Sequence, residues 1–494
     1  MLFNSFEFLL FFPTVVIAFF ALKHKYRWIL LLAASYLFYG IANGKLLILI
    51  LLSTAIDYLV SIQMQKIPDK EKRKPLLYLS LLSNLGILCV FKYYNFFHQS
   101  IADFLNLVGI AYSAHILNIA LPVGISFYTF QTLAYTVDVY RGHTKAENHL
   151  GYFALYVSYF PQLVAGPIEK SQRLIPQLRK EAVFNYSMVS SGLKLMIWGF
   201  FKKVVIADQL GPMVQMVADN PSNYGGLSTL IASCFFSLQV YCDFSAYSDI
   251  AIGGARIMGV NLILNFNRPF FAKSMVEIWE RWHISLFKWF KDYIYIPLGG
   301  SRGGFYITNR NIFIVFFISG LWHGASNNYV VWGVMSGVLV LVSRNFAKQS
   351  NQLNTILGLN PKSWIYGNVL RIKTFLLFSL SLIFFYPKNM QDSYQLFHNL
   401  SKNWIDEFEL ILQNENNLRS ELLYLGNTSF EFFAVILSLV ILFTVEALQE
   451  KNGSIFNFWS RRPVWIRWIA YMFITLLIIL FSFDKEAPFI YFQF

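Results

Sequence analysis

The stretch Ser319-Gly320-Leu321-Trp322-His323-Gly324-Ala325 lies between two apolar arms, residues 313–321 and 329–342. Arg310 precedes the first arm, and Arg344 and Lys348 follow the second. Apolar arms of this kind belong in a bilayer, and Lys and Arg collect at the cytoplasmic ends of spans. The pattern therefore predicts a hairpin with both ends cytoplasmic and His323 at its membrane-buried tip. Gly320 and Gly324 leave space for a second backbone or a substrate to come close. An ionisable group at that depth is costly and marks function by default. A neutral imidazole there suits a general base near pH 7; a hydrogen-bonded structural histidine is the alternative.

The rest of the chain has the same character. Of its 494 residues 56% are hydrophobic and 14% charged, against roughly 25% charged in soluble domains. Long apolar runs recur, as at 46–52 and 473–481. The first apolar segment, 6–22, has no basic residues before it and no small-residue cleavage site after it, so it reads as a retained helix and not a signal peptide. The formal charge of +13 fits positive-inside topology and anionic lipid better than nucleic acid. Cys89, Cys234 and Cys242 have no metal-ligand spacing and form no disulfide framework; no metal is expected.

The basic loops order the topology. Lys23 to Arg27 and Lys66 to Lys74 follow the first and third helices, so the N-terminus is expected outside. Further spans are expected near 76–91, 119–139, 189–206, 227–252, 372–386, 430–447 and 466–483. The basic, proline-broken stretch 141–180 reads as cytoplasmic, with short or re-entrant elements. Loop 388–429 is acidic and suits the outside, and 450–467 is basic and suits the inside. The C-terminus then lies outside as well. The fold class is an all-α polytopic membrane protein of roughly 10–12 transmembrane helices, a single integral domain over residues 1–494.

Three other segments carry polar groups where lipid would not tolerate them. Residues 279–293 predict an amphipathic helix lying in the interface. Trp279, Trp282, His283, Leu286, Phe290 and Tyr293 share one face, and Glu277, Arg281, Lys288 and Lys291 lie opposite. His283 is either packed inward toward the core or a snorkelling histidine. The patch Asp243, Ser245, Tyr247, Ser248 and Asp249 ends an apolar span; it is either interhelical hydrogen-bonding glue or the lining of a ligand cavity. The terminal run Pro488 to Phe494 is aromatic and apolar. It is either an interfacial anchor or a segment buried in a groove. Burial would bring in the phenol of Tyr491, which needs a base to become a nucleophile.

Taken in order, these segments resemble the membrane-bound O-acyltransferase family, in its bacterial alginate O-acetylation branch. The blocks are MLFNSFEFLLFF, LPVGISFYTFQTLAY, FPQLVAGPIEK, YCDFSAYSDIAIG, NFNRPFF, WERWHISLFKWFKDYIYIPLGG, GLWHGASNNYVVWG and FIYFQF, and they cover nearly the whole chain. Ala246 stands where the group often has Gly. The resemblance implies a helical bundle with re-entrant and horizontal helices and funnels on both membrane faces. It implies that His323 and His283 are the two family histidines, and that Tyr491 matches an acyl-carrying tyrosine. Trp322, Asp243, Ser245, Tyr247, Asp249, Arg281 and Trp282 become expected tunnel or supporting residues.

The implied chemistry is O-acetylation of an exported polysaccharide or peptidoglycan. The donor would be acetyl-CoA or an acyl-carrier protein at the cytoplasmic face, with no permanently bound cofactor. An esterase-like partner would work beyond the bacterial inner membrane. D-alanyl transfer to teichoic acid is the rival within the family, and an envelope-polymer transporter the rival outside it.

Overall fold

The computed structural model describes residues 1–356, 360, 363–412, 421–453, 459–482 and 488–490. Every regular element among them is helical. The chain divides into two compact units. The first holds residues 1–196 and 247–264, and the second holds 197–246 and 265–490.

The first unit contains α1 (Phe6–Ala21), α2 (His24–Asn43), α3 (Leu47–Lys66), α4 (Lys74–Leu88), α5 (Tyr94–Leu107), α6 (Ile125–Arg141), α7 (Leu150–Ser158) and α8 (Ser171–Arg179). The span expected at 76–91 is longer: α4 continues through a π-turn, Cys89–Tyr93, into α5. The span expected from 119 begins at Ile125, after Pro122 and the left-handed Gly124. A proline biases the residue before it away from the helical region. A buried polar cluster ties α3, α4 and α6 together. Asp57 accepts from Ser80 Oγ at 2.5 Å, from Asn84 Nδ2 at 2.9 and 3.0 Å, and from Thr136 Oγ1 at 3.3 Å. Ser53 donates to the same asparagine at 2.6 Å.

The boundary between the units falls inside α9 (Tyr186–Phe200) and α11 (Gly226–Ile257). The second unit adds α10 (Asp208–Asp219), α12 (Met275–Arg281), α13 (Ile284–Phe290), α14 (Gly304–His323), α15 (Asn327–Asn345), α16 (Ala347–Ile356), α17 (Trp364–Ser381), α18 (Met390–Asn399), α19 (Trp404–Leu412), α20 (Ser429–Asn452) and α21 (Val464–Ser482). Glu407 on α19 accepts from the backbone nitrogens of Gly225, Leu227 and Ser228 at 2.8, 2.9 and 3.3 Å. It thereby supplies the acceptor that the first turn of α11 lacks.

The helix surfaces are apolar where a soluble protein would be polar. On α21 Trp465, Trp468, Ile469, Met472, Leu476 and Leu480 are all exposed, while Asp57, Asn84, Lys203 and Asp243 are buried. That inversion is the mark of a bilayer solvent, and the chain is a multi-pass membrane protein. Among the described residues seven helices are long and apolar enough to cross, or eight if α15 and α16 make one bent span. Other segments expected as spans form shorter helices: 16 residues in α1, 17 in α6 and 15 in α9.

Candidate active site

The expected helical hairpin forms. Three residues, Gly324 to Ser326, link α14 to α15, and His323 is the last residue of α14. Both arms are longer than the sequence suggests. At 20 and 19 residues each runs about 30 Å, a full bilayer core. The glycines serve the fold itself. A Cβ on Gly320 would meet the Tyr329 carbonyl oxygen at 2.4 Å and Gly333 Cα at 3.1 Å, and one on Gly324 would strike the Tyr329 ring at 2.1 Å. Close backbone crossing of this kind needs small residues.

His323 is 4% exposed. Its Nδ1 lies 2.6 Å from the carbonyl oxygen of Ser319. A carbonyl only accepts, so Nδ1 carries the hydrogen and Nε2 is the basic nitrogen of the neutral ring. Aromatic rings surround the imidazole: Trp332 at 4.7 Å, Trp322 at 4.8 Å and Phe385 at 5.6 Å between centroids, all edge to face.

The expected continuous amphipathic helix at 279–293 is two helices. α12 stops at Arg281, α13 starts at Ile284, and a π-turn, Lys291–Tyr295, follows. His283 stands at the break with φ +43° and ψ 50°, a left-handed conformation that is uncommon without glycine. Residues 265–267 compensate it. Asn265 O accepts from Ile284 N and Asn267 N donates to Arg281 O, both at 2.8 Å. Strained residues of this sort cluster at functional sites. Much of the expected inward face remains: Trp279, Trp282, His283, Leu286 and Phe290 are buried, and Lys288 and Lys291 are exposed.

Asn265 also sets the His283 tautomer. Its Oδ1 accepts from Ser285 N at 3.3 Å and Ser285 Oγ at 2.9 Å. A backbone N–H can only donate, so this atom is the amide oxygen. His283 Nδ1, 3.2 Å away, is therefore the donor, and Nε2 is again the basic nitrogen. Burial pushes the His283 pKa well below its ordinary value, and the nearby His323 pushes the same way. The His283 ring stacks edge-on against Phe244 at 4.6 Å and Trp322 at 5.8 Å. Trp322 thus contacts both imidazoles, and both rings have the same nitrogen as the basic one.

The remaining candidates divide. Trp282 is buried against Phe266 and Phe378 at 5.2 and 5.0 Å. Arg281 pairs with Glu277 at 2.8 Å and Glu450 at 2.9 Å, and Arg268 reaches the same Glu450 at 2.7 Å; these pairs clamp α12 to α20. Asp243 and Ser245 bond to lysines: Lys203 to Asp243 and Lys202 to Ser245, each at 2.7 Å. Phe244, between them, is the residue that reaches His283. Tyr247 and Asp249 belong to the first unit, where the Tyr247 ring stacks on Phe3 at 4.4 Å. Tyr491 lies outside the described residues. The two residues before it, Phe489 and Ile490, are buried, as groove burial requires and an exposed anchor does not.

Sequence reasoning missed Asn265, Trp332, Phe385, Lys202 and Lys203 as site residues. Two adjacent lysines in an apolar stretch were a usable signal for the last pair. The others carry no local mark.

An all-helical membrane protein with two buried, tautomer-fixed histidines that both contact one tryptophan is the class that the fold and geometry define. Comparison with known proteins makes the class specific. Residues 148–386 match the family model of the membrane-bound O-acyltransferases. The chain is 35% identical over 401 residues to the probable alginate O-acetylase of Pseudomonas aeruginosa, covering 80% of this chain and 74% of that protein. It is 30% identical to the peptidoglycan O-acetyltransferase of Helicobacter pylori over 94% of this chain and 91% of that protein. The teichoic acid D-alanyltransferase of Bacillus subtilis is 26% identical over 48% of this chain and 64% of that protein. The chain belongs to the membrane-bound O-acyltransferase family and is an acyltransferase.

Proposed function

We propose that this protein takes an acetyl group from acetyl-CoA at the cytoplasmic face and passes it across the bacterial inner membrane for O-acetylation of an exported polysaccharide or peptidoglycan. The relatives that match over most of the chain carry names for those acceptors. The observation that supports the chemistry is the shared tautomer of His323 and His283, each with Nδ1 donating and Nε2 basic. His323 Nε2 accepts the phenol proton of Tyr491 as the phenol oxygen attacks the thioester carbonyl carbon. The carbon–sulfur bond breaks, and the imidazolium returns the proton to the departing sulfur. The products are the CoA thiol and an acetylated tyrosine.

A phenol is about 3.5 pKa units above an imidazole, a gap worth about 5 kcal/mol. Full deprotonation before attack would add that to the barrier, so proton transfer accompanies attack. The aryl ester then passes its acetyl group to a hydroxyl of an esterase-like partner on the outer side, which regenerates the phenol. With both termini outside, the tail lies on the acceptor's side. His283, held neutral, leaves the single proton in transit to His323, since two imidazolium ions so close would repel. Trp322 and Trp282 shape the apolar walls, and Arg281 holds α12, whose end leads into His283.

Incubating the purified chain with labelled acetyl-CoA, followed by mass spectrometry of the C-terminal peptide, tests this. Acetyl on Tyr491 in the wild type and none in His323→Ala is the expected result. Labelling only from a D-alanyl carrier protein moves the assignment to the teichoic acid branch. Polymer acetylation undiminished in Tyr491→Phe removes the tail from the pathway.

A further inference from the structure

Lys203 and Asp243 hold the end of the chain. Lys203 is 1% exposed and Asp243 2%, and they pair at 2.7 Å. The three ammonium hydrogens of a lysine match three acceptors here: Asp243 Oδ1, Asp208 Oδ1 at 2.8 Å and the carbonyl oxygen of Pro488 at 3.4 Å. The other Asp243 oxygen, Oδ2, accepts from the backbone nitrogen of Ile490 at 2.7 Å. Between these two grips the Phe489 ring lies under the ammonium, 4.4 Å from its centroid. Phe489 is 1% exposed and Ile490 8%.

One ion pair thus binds a carbonyl and, two residues on, an amide, with an aromatic ring beneath the cation between them. That arrangement sets register. A slip of one residue would present the wrong backbone group to each charge and turn Phe489 away from the lysine. Charges buried this deeply are costly unless every valence is used. A lysine and aspartate that needed only each other would not require backbone groups from 247 positions away.

We propose that Lys203 and Asp243 are a docking site for the chain's own C-terminal segment, gripping Pro488 and Ile490 so that residues 488–490 are held in one fixed register. The inference rests on the proposed function only for what the tail then does; the docking has its own readout. Lys203 and Asp243 are positioning residues.

Hydrogen exchange read by mass spectrometry on the full-length chain in nanodiscs tests the proposal. Lys203→Met together with Asp243→Asn removes both charges at once, so neither is stranded. Exchange in the peptide containing Phe489 and Ile490 should rise at least tenfold, with α11, α14 and α15 unchanged. Lys203→Arg with Asp243 intact should keep the peptide protected. Unchanged exchange in the double variant overturns the docking site. An equal rise throughout the second unit does so too, because it marks a general structural pair. Faster tail exchange with undiminished acetyl transfer upholds the docking and refutes the use of the tail as an acyl carrier.

Discussion

Asp57 and His323 are both polar side chains buried among apolar helices, and their neighbours treat them in opposite ways. Asp57 is fully buried and meets hydroxyl and amide donors from α4 and α6. His323 is ringed by Trp322, Trp332 and Phe385, with one backbone carbonyl fixing its tautomer. A carboxylate wrapped in donors is spent on cohesion. An imidazole oriented through Nδ1 amid aromatic walls has Nε2 as its basic nitrogen, the atom that the proposed acyl transfer uses. Burial alone therefore does not distinguish these two groups; the chemistry of their neighbours does.

The comparison breaks first at His323. His323→Ala should cut acetyl transfer at least ~100-fold, the usual worth of a positioned acid–base group, with no loss of thermal stability. Thermal unfolding and a labelled-donor assay on one preparation measure both. Activity within a few-fold of wild type would place His323 with Asp57 as a structural group.

Asp57→Leu should do the reverse. It strands several buried donors at roughly 1–3 kcal/mol each, lowering the unfolding temperature and the yield. Turnover per folded molecule should hold. A specific loss of turnover with normal stability would make the Asp57 cluster part of the catalytic path.

A smaller effect sharpens the second histidine. Asn265→Ala frees the His283 ring and leaves the backbone bonds of the strained turn in place. Turnover should fall about tenfold, the scale seen when a group that orients an active imidazole is lost. Little change would mean that backbone contacts alone hold His283.

The smallest effect is in pH. The pKa of His283 is lowered by burial and by His323, so unfolding lets it take up a proton that the folded state refuses. Stability is then level above the ordinary histidine value of about 6.5 and declines as pH falls below it, by up to about 1.4 kcal/mol per pH unit. His283→Asn should remove that slope from unfolding curves recorded between about pH 8 and pH 5. An equal slope in the variant would assign the effect to other groups.

Much of this was legible in the residues. The arms around Trp322-His323 and the basic groups beyond them are a local pattern, and α14 and α15 form where that pattern requires. The inward face of 279–290 was equally readable, because periodicity reports burial. The break at Trp282-His283 was not. Nothing nearby in sequence opposes a helix there, and the backbone bonds that stabilise the break come from 265–267.

By itself, the sequence determined a polytopic helical membrane protein and singled out His323, because hydropathy and flanking charge act over a single helix length. Tertiary structure decided which polar groups meet: Asn265 with His283 across 18 positions, Lys203 with Asp243 across 40, and Asp243 with Ile490 across 247. Hydrogen bonds between distant segments leave no periodic trace in a chain. They form only once packing has excluded water and brought buried donors to buried acceptors.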